Sequence, residues 1–369
     1  MTLSLDLPLD IRSDVPLATE TTLGVGGAAR SFASAMTPSE LVEALTEARN
    51  SDQPVFVLGG GSNVVIADAG FDGMVVRVDD YRIEVEKTSD GRARLTVGAG
   101  VEWDELVEFC CTERFAGLEC LSGIPGRVGA APIQNIGAYG QEVAERLTAV
   151  RVLDRATHSL QRIPAAECGF GYRSSHFKGA WRDRYVVVGV ELDLEHDGAP
   201  TLRYAELRDA LGVVDGGPLP ELHTVREIVL RIRRRKAMVV DPDEPNSRSA
   251  GSFFVNPVVS RDEAARVRSR LDTDVAETMP SWPTDDGRVK LSAGWLIERA
   301  GFAKGFAFGR AGLSERHALA IINRGEARAT DIVALASLVR RGVRNAMGIT
   351  LVPEPVFVGF DATVDELLH

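Results

Sequence analysis

Residues 117–140 hold six glycines and two prolines, and carry only two charged side chains, Glu119 and Arg127. A solvated loop of that length is normally more polar, and long segments of this kind are usually functional. The part running Ser122-Gly-Ile-Pro-Gly-Arg-Val-Gly-Ala-Ala-Pro-Ile-Gln-Asn-Ile-Gly-Ala-Tyr-Gly140 is apolar, small and rich in backbone. It suits a flat heteroaromatic ring, hydrogen-bonded at its edge by main-chain groups, with Gln134 and Asn135 as amide donors. A buried structural crossover would show the same composition.

The whole chain has 369 residues, enough for two domains or three at roughly 100–200 residues each. Apolar residues make up 44% and charged residues 26%, the usual globular mix, so a disordered chain and a heptad coiled coil are excluded. The formal net charge of −11 argues against broad binding to nucleic acid or to an anionic membrane surface. An anionic ligand therefore has to meet a local basic pocket. Apolar runs such as 185–194 fall far short of the ~20 residues of a membrane-spanning helix, so no membrane insertion is expected. The first ten residues contain acids and no basic stretch, unlike a signal peptide, and a cytoplasmic protein is expected. Cys110, Cys111, Cys120 and Cys168 form no C-x-x-C pair and share no metal-ligand spacing with the six histidines. Reduced structural thiols and no metal are the reading.

Periodicity gives mixed α and β sequence without a regular βαβ alternation. Thr37-Pro38-Ser39-Glu40 predicts a capped helix running to Asn50, followed by a strand at 54–58 and a glycine loop. Strands follow at 64–66, 74–78, 82–86 and 93–98, then a helix at 103–115 with Asp104 and Glu105 in its first turn. Further strands are expected at 149–153 and 185–194, and a helix at 221–236. The Pro/Asp cluster at 241–246 marks a boundary. Beyond it the pattern predicts helices at 261–271, 295–300 and 331–347, the last stopping at Gly348, and a final strand at 349–360.

Several motifs carry chemistry. Gly59-Gly60-Gly61-Ser62-Asn63, directly after a strand, lets backbone N–H groups converge on an anion such as a pyrophosphate, unless it is a plain tight turn. It is neither a Walker A loop nor G-x-G-x-x-G. The run from Gly24 to Ala29 does satisfy G-x-G-x-x-A, but no strand precedes it, so it is not read as a dinucleotide fingerprint. Arg173, among the hydroxyls of Tyr172, Ser174 and Ser175, can clamp a carboxylate or form an ordinary surface ion pair. Arg226, Arg231, Arg233, Arg234, Arg235 and Lys236 form the one dense basic block, against the single acid Glu227. Ser252 lies between a glycine and two aromatics where water can be excluded, yet lacks the elbow or paired base of a nucleophile. Ser175 and Lys178 match S-x-x-K without the companion K-T-G of a β-lactamase. Glu354 is set rigidly between two prolines, a placement that would equally suit a strand-edge gatekeeper.

Taken in order from residue 21 to residue 360, these motifs, with Ala250-Gly-Ser-Phe-Phe-Val-Asn-Pro257 and Lys290-Leu-Ser-Ala-Gly-Trp-Leu-Ile297, resemble the UDP-N-acetylenolpyruvoylglucosamine reductase (MurB) family. The resemblance implies an α+β fold: an FAD-binding region of the vanillyl-alcohol oxidase/PCMH type plus a smaller α+β substrate-binding domain. It implies FAD-binding subdomains at 1–65, to which 355–369 returns, and 66–240, with the substrate domain at 241–354. FAD would be non-covalent, its pyrophosphate on Gly59, Gly60, Gly61, Ser62 and Asn63. The flavin would be wrapped by 122–140 through Gly123, Ile124, Pro125, Gly129, Gln134, Asn135 and Gly137.

The implied reaction belongs to peptidoglycan precursor synthesis. NADPH reduces FAD, and reduced flavin gives hydride to the vinyl C3 of UDP-N-acetylglucosamine enolpyruvate, yielding UDP-N-acetylmuramate. Hydride at C3 leaves carbanion character at C2, delocalised into the carboxylate, so a cation and a proton source are needed there. By resemblance Arg173 stabilises that charge, Ser252 protonates C2, and Glu354 stands on the carboxylate side, protonated because it faces developing negative charge. Tyr204, Lys236, Asn256, Lys290 and Lys304 match substrate contacts, Tyr139 and Arg233 more loosely. His317 falls where some members have Gln, Val255 replaces a polar residue, and the spacer between Lys236 and Ser252 is longer than in some members. Two other readings compete: an oxidase of the same fold acting on a small alcohol or sugar, and a nucleotide-binding regulator without turnover. The first leaves the basic block and the Ser252 motif without a purpose; the second leaves Arg173, Ser252 and Glu354 unexplained.

Overall fold

The computed structural model describes residues 9–369. The described residues divide into two compact units, one of residues 9–15, 29–61 and 72–234, the other of 16–28, 62–71 and 235–369.

The first unit is organised by the strand Tyr185–His196, at the centre of an antiparallel sheet in the order Leu160–Pro164, Leu147–Asp154, Tyr185–His196, Arg92–Gly98, Ile83–Lys87. Its run of valines is buried on both faces. Val186 and Val188 join one apolar cluster, Val187 joins another, and Val190, Leu192 and Leu194 a third. Alternate residues thus serve opposite faces, as the two-residue period of a strand requires. A second sheet orders Ile11–Pro16, Ala28–Ala35, Phe71–Val78 and Val55–Leu58, the last two parallel. The helix Pro38–Asn50 covers it with Leu41, Ala44, Leu45 and Ala48. Thr37 accepts from Glu40 N–H as the capping box predicts, whereas the Glu40 carboxylate returns to Met36 N–H, one residue earlier. The helix expected at 221–236 is Leu222–Arg235.

The second unit packs around the helix Ala329–Met347, whose Ile332, Leu335, Ala336, Val339 and Val343 recur at helical spacing and are buried. It starts two residues before the expected Asp331 because Asp68, distant in sequence, accepts from Ala329 N–H (2.7 Å) and Thr330 N–H (3.2 Å). Gly348 closes it in the left-handed conformation. The helix expected at 261–271 is Arg261–Arg268, ending three residues early, and a separate short helix, Thr273–Glu277, follows it. The final strand is far shorter than predicted, only Val356–Val358, paired in parallel with Val64–Ile66. Pro353 and Pro355 have no N–H to give a ladder, so residues 352–354 make single contacts instead. These run from Val255 N–H to Val352 O and from Glu354 N–H to Phe253 O.

Three backbone segments of this unit cross where no side chain fits. A Cβ on Gly70, at φ +83°, would lie 1.9 Å from the Ala28 carbonyl oxygen, and one on Gly359 would lie 1.9 Å from that of Gly70. The run from Gly24 to Ala29 belongs here and precedes a strand, so it is no dinucleotide fingerprint. The Asn323 amide donates to the carbonyls of Leu23 and Gly24. Gly70→Ala combines a disfavoured φ with a backbone clash, and is expected to destabilise the chain by about 3 kcal/mol or more in denaturant unfolding. A loss under about 1 kcal/mol would show that the crossing opens easily.

Candidate active site

Within the first unit the glycine loop lies against the long backbone-rich segment. A Cβ on Gly60 would fall 2.7 Å from Gly126 Cα, and one on Gly59 would fall 3.2 Å from Ala130 Cβ. Glycine is needed here for close approach of two main chains. The main-chain N–H groups of Gly59, Gly60 and Gly61 are donors of the kind that a diphosphate takes. The small side chains of 122–140 suit a flat ring, so the residues present fit FAD.

Leu118, Leu121, Val128, Ala131 and Ile136 bury that segment in the core of the first unit, and polar side chains from the surrounding elements hold it as well. Its two charges point into the protein. Glu119, 1% exposed, accepts from Gly117 N–H (2.8 Å), Thr201 N–H (2.6 Å) and the Gln141 amide (3.3 Å). Arg127 pairs with buried Asp79 and with Glu102 (3.0 Å), while Asp79 also takes Arg77 at 3.1 Å. Burial raises the Asp79 pKa, but the Arg127 hydrogen bond, the Arg77 charge and Ser34 outweigh it, and the carboxyl is held below its usual range. The Trp103 indole donates to Leu121 O at 3.1 Å. The Asn135 side chain donates to Glu142 (2.6 Å) and Gly171 O (3.1 Å) and accepts from Ala144 N–H (3.1 Å), while its own N–H donates to Pro132 O at 3.4 Å.

Arg173 is anchored on the same segment. Its guanidinium donates to Gly137 O at 2.6 Å and to Asn135 O at 3.4 Å. A Cβ on Gly137 would stand 2.9 Å from the Gln141 carbonyl oxygen and 3.2 Å from Arg173 Nη1, so the close main chain of Gln141 calls for glycine here. Arg173, Asn135 and Tyr139 all have positive φ, at +52°, +46° and +49°. Such strain in residues other than glycine gathers where a site over-determines its backbone. Tyr139 meets Tyr204 edge-on at 5.4 Å. Burial lowers the Arg233 pKa, and burial raises that of Tyr204, with Glu206 adding to the latter.

The second unit holds Ser252, Asn256 and Glu354. Ser252 precedes Phe253 and Phe254, buried rings stacked edge-on at 5.3 Å. Glu354 N–H bonds the Phe253 carbonyl, and Asn63 donates from its amide to Glu354 O at 3.4 Å. The serine motif, the Pro-Glu-Pro segment and Asn63 are thus joined through backbone. Asn256 Oδ1 caps the helix Ala293–Arg299 by accepting from Ala293 N–H, at 2.9 Å. Lys290 lies over the Trp282 ring at 5.8 Å, Lys304 is exposed, and Lys236 and His317 are half-buried.

Asp79, Asp104, Glu119 and Arg226 escaped the sequence reading as site-supporting residues. Only the rarity of charge in 117–140 hinted at any of them. The four cysteines are buried, with burial pushing Cys111 up to about 12 and Cys168 up to about 11, as inert thiols. Among the described residues no His, Cys, Asp and Glu group could hold a metal ion, and no helix is long and apolar enough to cross a membrane.

The family model for an FAD binding domain matches residues 29–163, which include both loops. The chain is an FAD-dependent oxidoreductase with an α+β fold. The model for the C-terminal domain of UDP-N-acetylenolpyruvoylglucosamine reductase matches residues 243–358. The reductase of Thermobifida fusca is 50% identical over 94% of this chain and 97% of its own length, and that of Streptomyces avermitilis is 46% identical over 94% and 95%. The crystal structure of the Thermus caldophilus reductase superposes with a TM-score of 0.63 at 28% identity, covering 95% of this chain and 98% of that one. The chain belongs to the UDP-N-acetylenolpyruvoylglucosamine reductase family.

Two variants probe the loops. Gly60→Ala is expected to force them apart and weaken FAD binding by about tenfold or more, read by titrating the stripped protein with FAD. Unchanged affinity would remove the glycine loop from the cofactor site. Asp79→Asn is expected to cost roughly 3 kcal/mol at neutral pH. Because the folded Asp79 pKa is depressed, its contribution is fully present above about pH 4 and is lost as pH falls through the folded value. The deficit against wild type should therefore shrink in acid; a constant deficit would refute the pairing.

Proposed function

We propose that this chain reduces UDP-N-acetylglucosamine enolpyruvate to UDP-N-acetylmuramate with NADPH, a cytoplasmic step of peptidoglycan precursor synthesis and so of cell-wall biogenesis and division. Bound FAD supplies a route for hydride from NADPH to the vinyl C3 of the substrate. The loop from Gly59 to Asn63 holds its diphosphate, and Gly123, Ile124, Pro125, Gly129, Gln134, Asn135 and Gly137 line its ring.

Arg173 binds the substrate carboxylate and steadies the negative charge that develops toward C2. The observation that carries this reading is the tether of its guanidinium to the Gly137 and Asn135 carbonyls, which fixes a cation on the segment that faces the ring. Ser252 Oγ delivers the proton to C2, screened from water by the rings that follow it. Glu354 works protonated, since an ionised carboxylate would oppose the charge it faces. Tyr204, Lys236, Asn256, Lys290, Lys304 and His317 hold the nucleotide end.

The test is anaerobic. NADPH should bleach the flavin band of the purified protein, and the enolpyruvyl substrate should restore it. Ser252→Ala should keep FAD and the NADPH-driven bleaching while losing about a hundredfold or more of the restoration rate. Normal single-turnover restoration in that variant would remove Ser252 as the proton donor. A band restored by oxygen and not by the substrate would point to an oxidase instead.

A further inference from the structure

The basic block divides sharply in the structure. Arg231, Arg234 and Arg235 are exposed, whereas Arg226 and Arg233 are 6% and 8% exposed. Buried guanidinium groups are costly unless compensated. Arg226 is compensated from an element that reaches the backbone-rich segment. Arg226 forks onto Asp104, Nη1 at 2.5 Å and Nη2 at 3.0 Å, and the same carboxylate accepts from Gly123 N–H at 2.5 Å. Two turns further along the helix Leu222–Arg235, burial prevails over the Tyr139 hydroxyl and lowers the pKa of Arg233. Gly123 stands near the start of residues 122–140, and Tyr139 near their end. Val225, Val229 and Ile232, packed with Cys120 and Leu207, fix the rotation of the helix that carries both arginines.

We propose that this helix clips the flavin-wrapping segment at its start: Arg226, through Asp104, holds Gly123 in place. Asp104 and Arg226 are positioning residues, and the buried Arg226 serves the cofactor site and not an anion patch. The proposal rests on the reading of 122–140 as the segment that wraps FAD.

The experiment measures the FAD dissociation constant of the stripped full-length protein and the visible spectrum of the bound flavin. Asp104→Asn leaves an oxygen for Gly123 but no charge for Arg226; Arg226→Met removes the fork; Arg226→Lys restores the charge alone. Each of the first two is expected to weaken FAD by about tenfold and shift the flavin spectrum. The double variant should be no weaker than the poorer single, because the pair acts as a unit. Arg226→Lys should recover part of the affinity, and Arg231→Gln with Arg234→Gln should stay within about twofold of wild type. Additive losses in the double variant would overturn the clip. So would a lowered melting temperature with affinity and spectrum unchanged, which would make the pair a plain stabiliser. Gly137→Ala separates the two ideas. If it weakens FAD while the Asp104 and Arg226 variants do not, the clip alone falls; if it too is silent, the wrapping role of the segment falls and the clip with it.

Discussion

A segment made of glycine and small apolar residues presents its backbone to a ligand only if something else holds that backbone in place. Each glycine adds conformational entropy that folding must overcome. In this protein the holding is shared between buried Leu118, Leu121, Val128 and Ile136 and internal charge. Glu119, Asp104 and the Asp79–Arg127 pair accept or donate along the segment, and each ties it to an element distant in sequence. Charges in such settings stabilise because they are matched, with short charge-assisted hydrogen bonds in place of lost water.

The same economy governs the second unit, where the constraint is steric. The segments around Ala28, Gly70 and Gly359 cross at distances that exclude a Cβ. That crossing supports the strand Val64–Ile66 beside Val356–Val358, and so the position of Asn63 against Glu354. A glycine that looks like a plain turn in sequence is here a packing requirement. The long helix Ala329–Met347 depends likewise on Asp68, a cap supplied from more than two hundred residues away.

How legible these parts were follows from the range of the interactions. The helix Pro38–Asn50 and the stop at Gly348 are encoded by residues within one turn of each other, and both were read close to their observed positions. The strand Tyr185–His196 was plain because a run of valines buried on both faces leaves little else to be. The separate helix Thr273–Glu277 was missed, and the short final strand was misread. There the pattern is apolar enough for regular structure, and local proline or capping chemistry decides otherwise. The candidate chemistry was visible as motifs, since Arg173, Ser252 and Glu354 sit in unusual local contexts. Their supports were not visible: Asp104 reads as an ordinary first-turn acid, and Arg226 as one more cation in a basic helix.

The sequence alone determined the class of fold, the glycine-rich loops and the residue types available for chemistry, because these rest on composition, periodicity and motifs that neighbouring residues carry together. Only the tertiary structure decided which charges are internal and which face water, which amides are already spent, and which glycines are crossings. Those outcomes depend on partners such as Asp104 and Arg226, far apart along the chain and 2.5 Å apart in space. Burial, which gives each such pair its energetic weight, is a property of the folded molecule and of no segment within it.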